Sequence, residues 1–451
     1  MELTPFTVVA GLNASGKSNL FDALELLSRL ASMSLREAFP ERRGSVAELF
    51  TSIDEDIYLD RMQFEVDLLV SRQVRDNWGQ SAEIKSPRLR YELHIERRKN
   101  QHGFEELYVA HERLSKIPAN KDNWATKYMP RNRADLWKST QAGGTAKPFI
   151  ETGSQGNVRT IYIRQDGKQG GKATPAHAVN QTVLAQVNSV DFPHVFAAKE
   201  EMRHWRFMQL SPDDLRCPTI QDPKMSYRIT HSGANLASAL YRIKSEDPDA
   251  LPEVSRQMAR FLPEYVGVDV IDDEANKQFI LKLRHKDGKV FSSRVLSEGT
   301  LRLLALTIMQ QDPEHQSLLC FEEPENGIHP MRIGQMAQLL RALSADFELL
   351  DGSLRQVIVN THSPLLVREM LRMKDDPAVG LWLFKMATLI TDAGGRRVQI
   401  KHSTANPIQL HPDTTTPLYG PAALTAADLA NYLSTLDEDP SVAGTALFQT
   451  R

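Results

Sequence analysis

The chain has 451 residues, of which 41% are hydrophobic, enough for one large domain or two to three ordinary ones around a substantial core. Lys+Arg (54) nearly balance Asp+Glu (57), a net charge of -3, which excludes an overall basic nucleic-acid binder but leaves room for a local basic groove. Two cysteines, Cys217 and Cys320, argue against a disulfide framework; no apolar stretch approaches membrane-spanning length and residues 1–20 show no signal peptide, so a soluble cytoplasmic protein is expected.

Phe6 to Ala10 is a short β-rich run. Leu20, Ala23, Leu24, Leu27 and Leu30 recur at helical spacing and predict a helix just after it. Residues 58–70, 88–96, 106–110 and 158–164 read as strands. Residues 116 to about 158 are poor in apolar residues and hold Pro118, Pro130, Gly143 and Gly144, so they read as a loop-rich insertion. Helical patterning runs from Ala234 to Phe261. Strands at 266–271 and 279–283 follow, then the turn Lys286-Asp287-Gly288 and an apolar helix over 301–310. The last sixty residues mix Pro, Thr and Gly with one helical stretch near Ala423 to Leu436. There is no internal repeat and no sustained heptad pattern.

Between the first strand and helix lies Gly11-Leu12-Asn13-Ala14-Ser15-Gly16-Lys17-Ser18, a G-x-x-x-x-G-K-S phosphate loop. The glycines let amide N–H groups turn toward a phosphate, and the helix N-terminus points its positive end there. Lys17 supplies charge for the β- and γ-phosphates and Ser18 a hydroxyl for Mg²⁺. A chance Gly-Ser turn is the bland alternative, and the flanking strand and helix argue against it. The apolar run Leu318-Leu319-Cys320-Phe321 reads as a buried strand ending in Glu322-Glu323-Pro324-Glu325. There a first carboxylate reaches the Mg²⁺ shell and a second orients the attacking water, which makes Glu322 the metal candidate and Glu323 the general base. Solvated acids capping a strand are the alternative.

Leu296-Ser297-Glu298-Gly299-Thr300 opens a helix where a Ser and a Gly can bind an anion, or where Ser297 is an ordinary N-cap. Its position just before the Glu-Glu strand favours the anion role. Val357 to Thr361 is a second apolar strand, ending in His362-Ser363-Pro364. A His there can contact a γ-phosphate and sense its loss.

These four segments, in this order, resemble the ABC-type ATPase heads of the SMC, RecF and OLD (overcoming lysogenization defect) group. Gly11 to Asn19 is similar to its Walker A, Leu296 to Thr300 to its signature, Leu318 to Glu323 to its Walker B and the His362 segment to its switch. Glu322 to Pro330, and Trp205-Arg206-Phe207 followed by Leu210-Ser211-Pro212, resemble compact bacterial predicted ATPases with a stand-alone AAA domain. The resemblance implies an α/β P-loop NTPase with a mixed central sheet, a β-rich lobe with an insertion and a helical signature lobe. It also implies ATP and Mg²⁺ as cofactors, with nucleotide contacts from Asn13, Gly16, Lys17, Ser18, Asn19, Ser297 and Gly299. Ser18 and Glu322 would hold the metal, and Glu323 and His362 would be catalytic. ATP would sit between Walker A of one subunit and Ser297 of the other in a homodimer or higher homo-oligomer.

The expected layout is one discontinuous head: 1–110 with Walker A, a loop-rich insertion over 111–200, a helical lobe over 201–390 and a C-terminal extension over 391–451. Three features depart from the family pattern. Only ten residues precede Gly11, so a late start or a missing lobe edge is expected, and adenine and ribose contacts stay unassigned. No coiled-coil arm is present. The 89 residues after His362 lack the acidic cluster of the OLD nuclease, so any nuclease is expected on a separate chain.

The leading expectation is an ATPase switch that gates a separately encoded effector in anti-phage defence. The alternative is a RecF-like repair ATPase binding duplex DNA through a basic face made by Arg97, Arg98, Lys99, Arg131, Arg133, Lys138, Arg159, Arg164 and Lys168. Glu298 and the Glu-Glu-Pro-Glu-Asn run argue against a transporter subunit. A small-molecule kinase would need no signature–His combination.

Overall fold

The computed structural model describes residues 1–39, 46–54, 57–140, 147–155, 158–165, 171–176, 180–222, 227–347, 354–393, 396–408 and 432–433. A six-stranded sheet forms the centre. Its spatial order is Arg206–Met208, Leu318–Glu322, Gln356–Thr361, Phe6–Ala10, Val379–Ala393 and Arg396–Ile408. The first five strands run parallel and the last returns antiparallel.

The inner strands of this sheet are covered on both faces, so Leu318 to Phe321 and Val357 to Val359 are apolar at every position. Phe6, Val8, Leu319, Phe321, Val357 and Val359 point into one core, shared with the helical lobe. Val9, Leu318, Cys320 and Ile358 point the opposite way into a second core, with the helix Lys17–Leu30. The alternation is the two-residue period of the pleat. Cys320 is buried and Cys217 exposed, and both are free thiols.

The second core also takes in an antiparallel sheet of six strands: Gly171–Pro175, Val158–Arg164, Ile150–Gln155, Glu105–Lys116, Arg88–Lys99 and Arg61–Leu69. This corrects the expected loop-rich insertion over 111–200. Residues 117–140 do hold only short helical turns, but Ile150–Gln155, Val158–Arg164 and Gly171–Pro175 complete the sheet, and helices Val183–Gln186 and Pro193–Arg203 follow. The strand Ile150–Gln155 (Ile-Glu-Thr-Gly-Ser-Gln) has one apolar side chain, so pairing rather than hydrophobic pattern makes it a strand.

The helical lobe packs helices Leu236–Glu246, Ala250–Phe261 and Glu298–Gln311 beside a small sheet of Tyr265–Asp273 and Gln278–His285. The helix Glu298–Gln311 is buried continuously from Gly299 to Met309. The last two strands of the central sheet were not expected: Val379–Ala393 falls mainly in the expected helical lobe over 201–390, and Arg396–Ile408 in the expected C-terminal extension over 391–451. The helical stretch expected near 423–436 lies outside the described residues except for Tyr432 and Leu433. Among the described residues, no helix is long and apolar enough to cross a membrane.

Candidate active site

Sheet register decides which side chains meet. Ala10 pairs with Thr361, so the phosphate loop leaves its strand level with His362. Glu322 pairs with Asn360 on the neighbouring strand. The carboxylates, the histidine and the loop therefore leave the same edge of three adjacent parallel strands, where ligands of open α/β sheets collect.

Gly16 caps the helix Lys17–Leu30 in the left-handed region, φ 90°, and Ala14 has φ 61°. Lys17 is 6% exposed, and its Nζ donates to the carbonyls of Gly11 at 2.8 Å and Leu12 at 3.0 Å. Burial pulls its pKa below the usual lysine value, and the charges of Glu323 and Glu325 work against that. Ser15 Oγ is buried with no hydrogen-bond partner among the described residues. Asn13, Ser18 and Asn19 are exposed around the loop.

Glu323 sits at φ 43°, a region that costs a branched or long side chain energy. Its N–H donates to the Asn360 carbonyl at 2.9 Å and holds it there. His362 Nδ1 lies 2.8 Å from Oε1, and Asn326 Nδ2 donates to Oε2 at 2.8 Å. Burial pushes the Glu323 carboxyl up, but those bonds from Asn326 and His362 outweigh it and hold it below its ordinary value. Glu322 is shifted upward, first by burial and then by the nearby negative charges of Asp22 and Glu323. This crowding of carboxylates, next to the Ser18 hydroxyl, is what a hard divalent cation such as Mg²⁺ relieves.

A cavity of about 520 Å³ joins Ser18, Glu322, Glu323, Asn326 and Asn360 to Gln209, Ser211, His231 and Arg302. Gln209, Asn326, Asn360 and Arg302 are polar residues of this cavity to which the sequence assigned no role. Gln209 follows a strand in which Met208 pairs with Phe321, which sets Gln209 level with Glu322. Asn360 is buried, and its Oδ1 has no hydrogen-bond partner among the described residues. Arg302, on the signature helix, is 7% exposed, its Nε has no hydrogen-bond partner among the described residues, and it feels the charges of Glu298 and Glu325. Gln209 had a sequence signal, since it lies between the two segments that resemble the compact ATPases. Asn360 had one too, inside the Asn-Thr-His-Ser-Pro segment.

Ser297 and Gly299 are not among the described residues lining this cavity. Ser297 is exposed and caps its own helix, its Oγ accepting from Thr300 N at 3.3 Å. Gly299 packs beside Gly327 and Ile328, where an added methyl would make ordinary contact with the Gly327 carbonyl at 3.4 Å. The buried loop lysine, the paired carboxylate and imidazole and the hard oxygen donors together can bind a phosphate chain and activate a water beside it.

This fold and loop define a P-loop NTPase with an ABC-type ATPase head. The family model described as "AAA domain, putative AbiEii toxin, Type IV TA system" matches residues 6–131 and 220–368, more than half the chain, and the chain belongs to that family. No curated protein matches the chain. Among solved structures, it is similar to an SMC head bound to the C-winged helix domain of ScpA, with 14% identity, a TM-score of 0.36, and coverage of 89% of this chain and 92% of that one. An SMC head with an extended coiled coil bound to the C-terminal domain of ScpA, from Pyrococcus furiosus, gives 12%, 0.37, 89% and 91%. The SMC head domain from Thermotoga maritima gives 12%, 0.33, 89% and 90%.

Proposed function

We propose that the chain binds and hydrolyses ATP, dimerises around it and uses the cycle to gate a separately encoded effector, in bacterial anti-phage defence. The observation that carries the ATPase reading is the Glu323–His362 pair, 2.8 Å apart beside the Lys17 loop. The family's description as a putative AbiEii toxin of a type IV toxin–antitoxin system supports the defence setting.

In this reading, the loop amides and Lys17 hold the β- and γ-phosphates, with Asn13, Gly16 and Asn19 around them. Mg²⁺, when bound, neutralises phosphate charge, and Ser18 and Glu322 are the residues that would hold it. Glu323 takes the proton of the attacking water, and its depressed carboxyl keeps it ionised at neutral pH. His362 orients Glu323 through Nδ1, which leaves Nε2 to meet a phosphate oxygen. Ser297 and Gly299, turned away from their own chain's cavity, would complete the site of a second subunit.

The DNA-repair reading gains no support from the basic residues of the β-rich lobe. Arg97 pairs with Glu105, Arg98 with Glu96 and Arg164 with Glu151, so three of the nine basic residues named for that face are neutralised within the fold. Lys168 lies outside the described residues.

The test is Glu323→Gln. The variant should still bind ATP, lose hydrolysis by about a hundredfold or more, and accumulate as a dimer when ATP is added, as seen by light scattering. Wild-type turnover in this variant would refute the assignment of the base.

A further inference from the structure

The paired strands Val379–Ala393 and Arg396–Ile408 lie outside the residues that the family model matches. They form a ribbon whose near end is part of the central sheet and whose far end is not. Val379 to Leu383 pair with Phe6 to Ala10, and beyond Leu383 the strand runs on past the phosphate loop, paired among the described residues with its antiparallel partner alone. The ribbon meets the loop at both of its glycines. A methyl on Gly16 would lie 1.7 Å from Ser403 Oγ, so that hydroxyl rests against the glycine's Cα. A methyl on Gly11 would lie 2.7 Å from the Phe384 carbonyl. Met386 pairs with Ser403 across the ribbon, and the Ser403 hydroxyl donates to its sulfur at 3.7 Å. Met386 is 47% exposed at this place.

The sheet order gives the ribbon a direction relative to the loop. Glu322, Glu323 and His362, which mark the γ-phosphate end, leave the two strands on one side of Phe6–Ala10, and the ribbon leaves the strand on the other side. A phosphate chain whose γ end meets those groups must carry its nucleoside away from them. The ribbon is the element against the loop on that far side. Its chemistry suits a nucleoside: a thioether is polarisable and adapts to a flat ring, and a hydroxyl beside the first turn of the loop helix can reach a ribose or an α-phosphate oxygen.

We propose that this ribbon is the nucleoside wall of the site, with Met386 against the base and Ser403 at the ribose end, for a purine nucleoside triphosphate. The inference rests on the ATP reading above. It assigns the base contacts to the C-terminal part of the chain.

The experiment compares ATP with inorganic tripolyphosphate, which has the phosphates and no nucleoside, in calorimetric titrations of the full chain with Mg²⁺. Met386→Ser should weaken ATP by about fivefold to tenfold, the effect of losing one apolar contact, and leave tripolyphosphate within about twofold. Met386→Leu should restore ATP binding. Unchanged ATP affinity in Met386→Ser, or an equal loss of both ligands, would overturn the proposal. A wild-type chain that binds neither ligand would overturn the ATP reading itself, and this inference with it.

Discussion

Lys17 is the residue on which the phosphate loop depends most. Its ammonium is buried and bonded to two carbonyls of its own loop, an arrangement that costs desolvation and is repaid when phosphates arrive. Lys17→Ala removes the cost along with the charge. The variant should fold with little loss of stability, and its ATP affinity should fall by about tenfold to a hundredfold, one or two charge-assisted hydrogen bonds' worth. Thermal unfolding and a titration on the same sample check both halves. Glu325 shows how residue type and burial combine. It is 6% exposed, shares a hydrogen bond with Thr361, and burial pushes its carboxyl upward. It belongs to the same acidic run as Glu323 but is buried more deeply.

At the scale of elements, Glu112 ties the β-rich lobe to the helices that follow it. It lies in the strand Glu105–Lys116, and its carboxyl accepts from the N–H groups of Val183 at 2.7 Å and Leu184 at 2.9 Å at the start of a short helix. Full burial raises its pKa to about 7, against those two bonds and one from Tyr91. An acid whose folded pKa is raised holds its proton more tightly folded than unfolded. Its contribution is therefore complete below the unfolded value of 4.5, falls as pH rises toward 7 and is level above that. The stability of the wild type relative to Glu112→Gln should drop between pH 4.5 and 7.5, by up to about 3 kcal/mol. Urea titrations of both proteins across that range read the difference, and a flat difference would show that Glu112 titrates normally.

At the scale of the whole molecule, the two cores place the signature helix and the phosphate loop on one rigid frame. Ser297 is exposed at a helix N-terminus, while Arg302, five residues on, reaches its own chain's cavity. The helix thus faces two ways. Ser297→Arg adds bulk and charge at the outward end only. It should leave ATP affinity within about threefold of wild type, yet abolish ATP-driven dimerisation and turnover. Sedimentation with and without ATP, beside a binding titration, separates this from a local defect. If ATP binding is lost as completely as in Lys17→Ala, the across-dimer model is wrong.

The sequence alone determined the parts whose physics is local. A strand, a glycine loop and a helix in succession define a phosphate cradle without any distant contact. Strands buried on both faces show as apolar runs, such as Leu318 to Phe321 and Val357 to Val359, so their ends and the acids and histidine that follow them were legible. What only the tertiary structure decided depends on register. Gln209 and Asn360 join Glu322 because Met208 pairs with Phe321 and Asn360 with Glu322, and no spacing along the chain encodes that pairing. Arg302 opens the apolar helix expected over 301–310, and its sequence position gives it no site role. It is buried because that helix is enclosed on nearly every side. The ribbon had a sequence signal in Gly394-Gly395 between two β-rich runs, with Ala393 pairing to Arg396 around it. Its meaning lay elsewhere: a parallel pairing with Phe6 to Ala10, some 370 residues away, carries it against the phosphate loop.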